Sequence, residues 1–101
     1  MESCRFTAPL WRWQAQDSWF FVTLPEDAAE TIRERPRPAR GFGSVRVRVH
    51  LDGPGPVTVW ETSVFPDSRS GSYVLPVKKK VRAAHDLEEG DPLDLMLEVL
   101  D

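Results

Sequence analysis

Three lysines and an arginine fall within the eight residues "LPVKKKVR", Leu75 to Arg82, of a 101-residue chain whose formal net charge is −3. Clustered cations of this kind neutralise phosphates or seat a carboxylate. On a helical wheel Lys78, Lys79 and Arg82 share one arc opposite Val77 and Val81, which equally describes a helix whose charges face water. The solvated face is the expected reading, because a cation at a helix amino end costs only about 0.3–1 kcal/mol and needs no functional reason. Arg46 and Arg48 in "SVRVRVHL", with Arg33, Arg35, Arg37 and Arg40 in "RERPRPAR", could extend the cationic surface. Against nucleic acid stand a pI near 5.4 and the acids that follow Ala84. No helix-turn-helix, zinc-finger or aromatic ribonucleoprotein motif accompanies the lysines, so any DNA or RNA binding is expected to be weak, non-specific and sensitive to salt.

The four tryptophans are the second chemical feature. Trp11 and Trp13 share one strand face, while Trp19 and Trp60 sit on other strands. Core and barrel-mouth packing is the expectation, since large rings bury area and their N–H finds a carbonyl. An aromatic pocket or a partner-binding face is the functional reading, and outward-facing Trp11 and Trp13 would favour a homodimer. Catalytic signals are poor. Ser68, Ser70 and Ser72 lie near Asp67 without a nucleophile elbow, and nothing places His50 or His85 beside them. "GFGS" precedes a strand, so its glycines do not open a helix on a phosphate as a dinucleotide fingerprint does. Cys4, His50 and His85 lack a metal-ligand spacing, so no metal and no cofactor is expected. Asp94 and Glu98 read as surface carboxylates paired across strands with Arg46 or Arg48.

The totals bound what can position these groups. A chain of this length holds one domain, residues 1–101, with a single core. One cysteine excludes an internal disulfide. The start, "MESCRFTAPL", lacks the basic and then apolar regions of a secretion signal, and no stretch has the length of a membrane span; the cytoplasm is the expected compartment. Residues 1–84 hold 13 basic and 9 acidic side chains, and residues 85–101 hold 7 acidic ones and no lysine or arginine. Those acids alternate with leucines in "LDLMLEVL", which is a strand pattern rather than an acidic tail.

Strand patterns dominate the chain. "CRFTAPLWRW" (residues 4–13) and "SWFFVTL" (18–24) flank a turn at "QAQD", and Pro9 suggests a sheet edge or a bulge. "SVRVRVHL" (44–51) alternates strictly, with Val45, Val47, Val49 and Leu51 inward and Arg46, Arg48 and His50 outward. "PVTVWETSVF" (56–65) follows the turn signal "DGPG", "SYVL" (72–75) is short, and residues 93–100 set Leu93, Leu95, Leu97 and Val99 on one face. Two helices interrupt them. "PEDAAETIRER" (25–35) carries acids first and arginines last, and Thr23 with Glu26 fits a capping box. "VKKKVRAAHDL" (77–87) lays Val77, Val81 and Ala84 along one stripe, with Gly90 in "EEGD" ending it.

An internal echo joins these elements. Strand, Leu24-Pro25, helix, Gly43, strand resembles strand, Leu75-Pro76, helix, Gly90, strand, 51 residues later. Both halves carry a further strand ahead, giving two β-β-α-β units around a pseudo-twofold axis. Six strands closing on themselves would remove most exposed edges.

"SYVLPVKKKVRAAHDLEEGDPLDLMLEV", with "SWFFVTLP", "GFGSVRV" and "TSVFPDSRSGSY", resembles the bacterial family DUF1905 over nearly the whole chain. Its most specific parts are the LP-helix-GD-strand block and the turn Phe65, Pro66, Gly71, Tyr73. The resemblance implies a small double-split β-barrel capped by helices, with no established enzymatic activity, sometimes fused to a domain linked with bacteriocin protection. The same block is similar to swapped-hairpin DNA binders of the transition-state-regulator and antitoxin kind, which build that barrel from two short chains. Pro36, Arg37 and Pro38 and the three consecutive lysines depart from the family's pattern.

The expected protein is therefore mainly β: a six-stranded double-split barrel with two short capping helices. Its expected work is non-enzymatic binding of a protein or a small ligand, with a homodimer as one form. The alternative is a nucleic-acid-associated regulator using the helix from Lys78 to Arg82; an enzyme with an unrecognised pocket ranks last. The candidate surface comprises Lys78, Lys79, Arg82, Arg46, Arg48, Trp11 and Trp13.

Overall fold

The computed structural model describes residues 3–14, 19–34, 43–53 and 55–100. Residues 15–17 of the expected "QAQD" turn, Arg35, Arg37 and Arg40 of the arginine–proline run, the first two residues of "GFGS" and Pro54 lie outside that set. In chain order the elements are β1 (Ser3–Arg12), β2 (Phe20–Thr23), α1 (Glu26–Arg33), β3 (Val45–Asp52), β4 (Thr58–Asp67), β5 (Ser72–Pro76), α2 (Lys79–Ala84) and β6 (Pro92–Val99). The strands close into a six-stranded barrel in the order β1-β2-β5-β4-β3-β6, every ladder antiparallel.

That ring is unchanged when β1, β2 and β3 are exchanged with β4, β5 and β6. The two β-β-α-β units are therefore equivalent in topology, and β2 meets β5, and β3 meets β6, as like strands across the pseudo-twofold axis. The two ten-residue strands divide between partners. Ser3 to Pro9 of β1 pair with β6, whereas Leu10 to Arg12 pair with β2. Thr58 to Val64 of β4 pair with β3, whereas Phe65 to Asp67 pair with β5.

Pro9 sits at the first division, where β1 has its ladder with β6 alone, in keeping with the expected edge position. It lies opposite Pro92, so neither residue offers an N–H, and the ladder parts where it has least to lose. Beyond it the Leu10 N–H donates to the Asp91 carbonyl and Gly90 N–H to the Leu10 carbonyl. Pro66 stands beside the second division.

Alternation fills the interior. Val45, Val47, Val49 and Leu51 of β3 and Leu93, Leu95, Leu97 and Val99 of β6 are all buried, with Val49 opposite Leu97 and Leu51 opposite Leu95. Ala8, Leu10, Val22, Val64 and Leu75 complete the wall. Each full burial of a Val or Leu side chain contributes about 1.5–3 kcal/mol before entropy is counted. Helix α1 covers the core with Ala28, Ala29 and Ile32. Helix α2 covers it with Val81, helped by Val77 just before it and by the partly buried Leu87 just after.

Three local expectations are corrected. Pro25 occupies the N-cap of α1 with no side-chain cap, and the Thr23 hydroxyl, still within β2, accepts a hydrogen bond from the Trp11 indole instead. The carboxylate of Asp27, not Glu26, takes an orphan N–H, that of Ala28. Ala84 is exposed rather than in the valine stripe, because α2 turns only from Lys79 to Ala84 before the chain reverses. The reversal is made at Asp86, not Gly90: Asp86 adopts φ 52°, Leu87 N–H donates to the Arg82 carbonyl and Asp86 N–H to the Ala83 carbonyl. This is a Schellman closure, and Leu87 is the apolar residue it folds back onto the core.

Candidate functional site

Because Leu10 and Val22 point inward as a cross-strand pair, their neighbours Trp11 and Phe21 must face outward, opposite one another. The expectation that Trp11 and Trp13 pack in the core is thus corrected. Trp11 and Phe21 have ring centroids 5.2 Å apart, Trp13 and Trp19 5.7 Å, and Trp19 and Phe21 6.2 Å, with interplanar tilts of 35°, 49° and 59°. A backbone bond from Trp13 N–H to the Trp19 carbonyl holds the two strand ends together. Phe65, Val74 and Pro76 continue this apolar lining across β5 and β4. Trp19 and Phe65 leave 52% and 42% of their surface exposed, which is high for side chains of this size.

These rings form one side of an open groove of about 1320 Å³. The other side comes from the barrel mouth and α2: Phe20, Trp60, Val77, Lys78, Lys79 and Arg82. Trp60 is the tryptophan that does pack against the core. Arg82 is fixed in position, its guanidinium carbon 4.0 Å from the Phe20 ring centroid and its Nε donating to the Val77 carbonyl at 3.1 Å. Val77 N–H in turn donates to the Phe20 carbonyl. Lys78 and Lys79 are exposed and form no ion pair with any described residue.

Five of the seven candidate residues thus meet on one groove: Trp11, Trp13, Lys78, Lys79 and Arg82. Arg46 and Arg48 do not line it. Both bind Glu61, at 3.2 and 3.1 Å, and Arg48 also reaches Glu98 at 3.5 Å. His50 donates to Glu98 at 2.7 Å. That hydrogen bond, aided by the charge of Arg48 and opposed by partial burial, holds the Glu98 carboxyl below its ordinary range. Asp94 bonds Thr7 rather than either arginine. Trp19, Phe20, Phe21 and Phe65 were not among the candidates. Alternation outward from Leu10, Val22 and Leu24 carries the signal for Trp19 and Phe21, but a short aromatic run reads equally well as core.

Hydroxyls, imidazoles and the thiol are dispersed. Ser70 Oγ donates to Asp67 within the β4–β5 turn, and Ser72 Oγ donates to the Leu24 carbonyl. His85 Nε2 contacts Thr58 Oγ1 at 2.6 Å, but its buried Nδ1 has no partner among the described residues, and none of their acids orients the ring as a hydrolytic triad requires. Burial first, and then the charge of Asp27, push the Cys4 thiol up and away from the reactive thiolate. Among the described residues no group of His, Cys, Asp and Glu is arranged to hold a metal, and no helix is long and apolar enough to cross a membrane.

No curated protein matches this sequence. The sequence model of the domain of unknown function DUF1905 matches residues 6–97, from Phe6 in β1 to Leu97 in β6, and the chain belongs to that family.

Proposed function

We propose that this barrel is a non-enzymatic binding module whose ligand lies in the aromatic groove. The observation that carries the reading is the outward placement of Trp11, Trp19, Phe21 and Phe65, which leaves a concave apolar surface in water. Such surface is costly to expose and marks a binding face more often than a structural one. The scattered hydroxyl and imidazole groups support binding rather than bond-breaking chemistry. A second copy of the chain suits the groove poorly: in a twofold contact, two concave faces would meet and Lys78 and Lys79 would oppose themselves. Nucleic acid has the neighbouring rings and lysines in its favour. Against it, the rings stand at 35–59° to one another instead of offering parallel platforms, and Arg46 and Arg48 are engaged by Glu61.

The test is titration with the uncharged fluorophore N-phenyl-1-naphthylamine. Saturable binding to the native protein, weakened at least tenfold in Trp19→Ala/Phe65→Ala with an unchanged melting profile, is the expected outcome. Loss of half to one ring's contact area per substitution is worth about that factor. Absence of saturable binding, together with concentration-dependent dimers by light scattering, would replace the ligand with a second copy. A tight gel shift with oligothymidylate at 200 mM salt would replace it with nucleic acid.

A further inference from the structure

Resting on that reading, the geometry points to the chemical class of the ligand: we infer that the groove takes a free amphiphilic anion, an aromatic or hydrocarbon body ending in a carboxylate, phosphate or sulfonate. The body is set by what the groove offers. Its lining is mostly ring and aliphatic surface, and the Trp11 indole N–H is already donated to Thr23 at 2.9 Å. An apolar body matches such a lining without leaving buried polar groups of its own.

The head group is set by charge. Two acids line the groove with Arg69, and both are engaged: Glu61 by Arg46 and Arg48, and Asp67 by Ser70 and the turn's backbone. Lys78 and Lys79 stand on the α2 rim with no acid of their own among the described residues. Arg82, held on the Phe20 ring and by the Val77 carbonyl, stands beside them. An anion bound at this rim would keep its head near water while its body covers Phe21 and Trp19, so it loses little hydration for the charge contacts it gains. A bilayer is a poorer source of the same chemistry, because a concave face does not enter a lipid surface.

A matched probe pair separates head from body. 8-Anilino-1-naphthalenesulfonate carries the ring system of N-phenyl-1-naphthylamine plus one sulfonate. In Lys78→Gln/Lys79→Gln the ratio of sulfonate to neutral-probe affinity should fall about fivefold, the yield of two partly exposed ion pairs, and 0.5 M NaCl should produce a similar fall in the native protein. Urea midpoints matching the native protein exclude unfolding as the cause. An unchanged ratio with both probes bound overturns the anion seat and leaves the groove reading standing, whereas failure of both probes to bind the native protein overturns the two together. Pelleting with phosphatidylcholine–phosphatidylglycerol vesicles, with no saturable binding of the free sulfonate, would overturn the inference in favour of a membrane source.

Discussion

The two halves of the barrel share one ladder scheme and almost nothing of their outer dress. The first half, β1 to β3, gives the groove Trp11, Trp13, Trp19 and Phe21 and, among the described residues, no cation; the second, β4 to β6 with α2, adds Trp60, Phe65 and Val74 and supplies Lys78, Lys79 and Arg82. Their helices differ as well. Helix α1 has eight residues, acids in its first turn and an arginine in its last, and buries Ala28, Ala29 and Ile32. Helix α2 has six residues, no acid in its first turn, and buries Val81 alone. The inward rows are held to one pattern by packing density, since a barrel this small is filled by its own side chains. The outward rows and the helix surfaces answer only to water and to ligands, and there the halves have parted.

The difference between the helices is the easiest to break. Ile32→Ala should cost about 2–4 kcal/mol in urea unfolding, within the range for a buried isoleucine, and Val81→Ala nearer 1–2 kcal/mol for two methyl groups. Equal losses would mean that the short helix seals its mouth as firmly as the long one. A smaller effect of opposite sign is expected at the α2 exit. Asp86 holds a left-handed backbone at φ 52°, a region where glycine has no Cβ penalty, so Asp86→Gly should raise stability by about 0.5 kcal/mol. A lower melting temperature would show that the aspartate contributes something the backbone does not.

The smallest effect concerns Glu98 on the outward side of β6. Glu98 titrates below its ordinary value of 4.5 in the folded protein, so its contribution is present above the unfolded-state value and is lost as pH falls through the folded one. Urea midpoints should therefore decline between about pH 5 and pH 3, and Glu98→Gln should flatten part of that decline. An identical slope in the variant would assign the acid sensitivity to other carboxylates, such as Glu26, which Arg33 holds low in the same way.

Most of the barrel was legible because strict alternation, as in Val45 to Leu51 and Leu93 to Val99, admits one inward face. The repeat was legible from Leu24-Pro25 and Leu75-Pro76, each of which ends a strand and opens a helix. Val77 and Val81 were placed inward correctly, at 1% and 3% exposure. Ala84 was not, because periodicity extends a helix past the point where the chain reverses. The groove was only half legible. The lysines were noticed as charge and the tryptophans as bulk, but what unites them is the tertiary closure that brings the start of α2 beside the ends of β1 and β2. Arg46 and Arg48 were drawn into the surface by charge alone, and cross-strand register gave them to Glu61.

The covalent join between like halves has a consequence of its own. A pair of identical short chains would repeat every substitution on both sides of the β2–β5 seam, so a cavity lying over that seam would be condemned to matching walls. One continuous polypeptide specifies each wall separately. A cleft that is apolar on both walls but carries its cations on one alone, able to orient what enters it, can then sit on the symmetry axis itself.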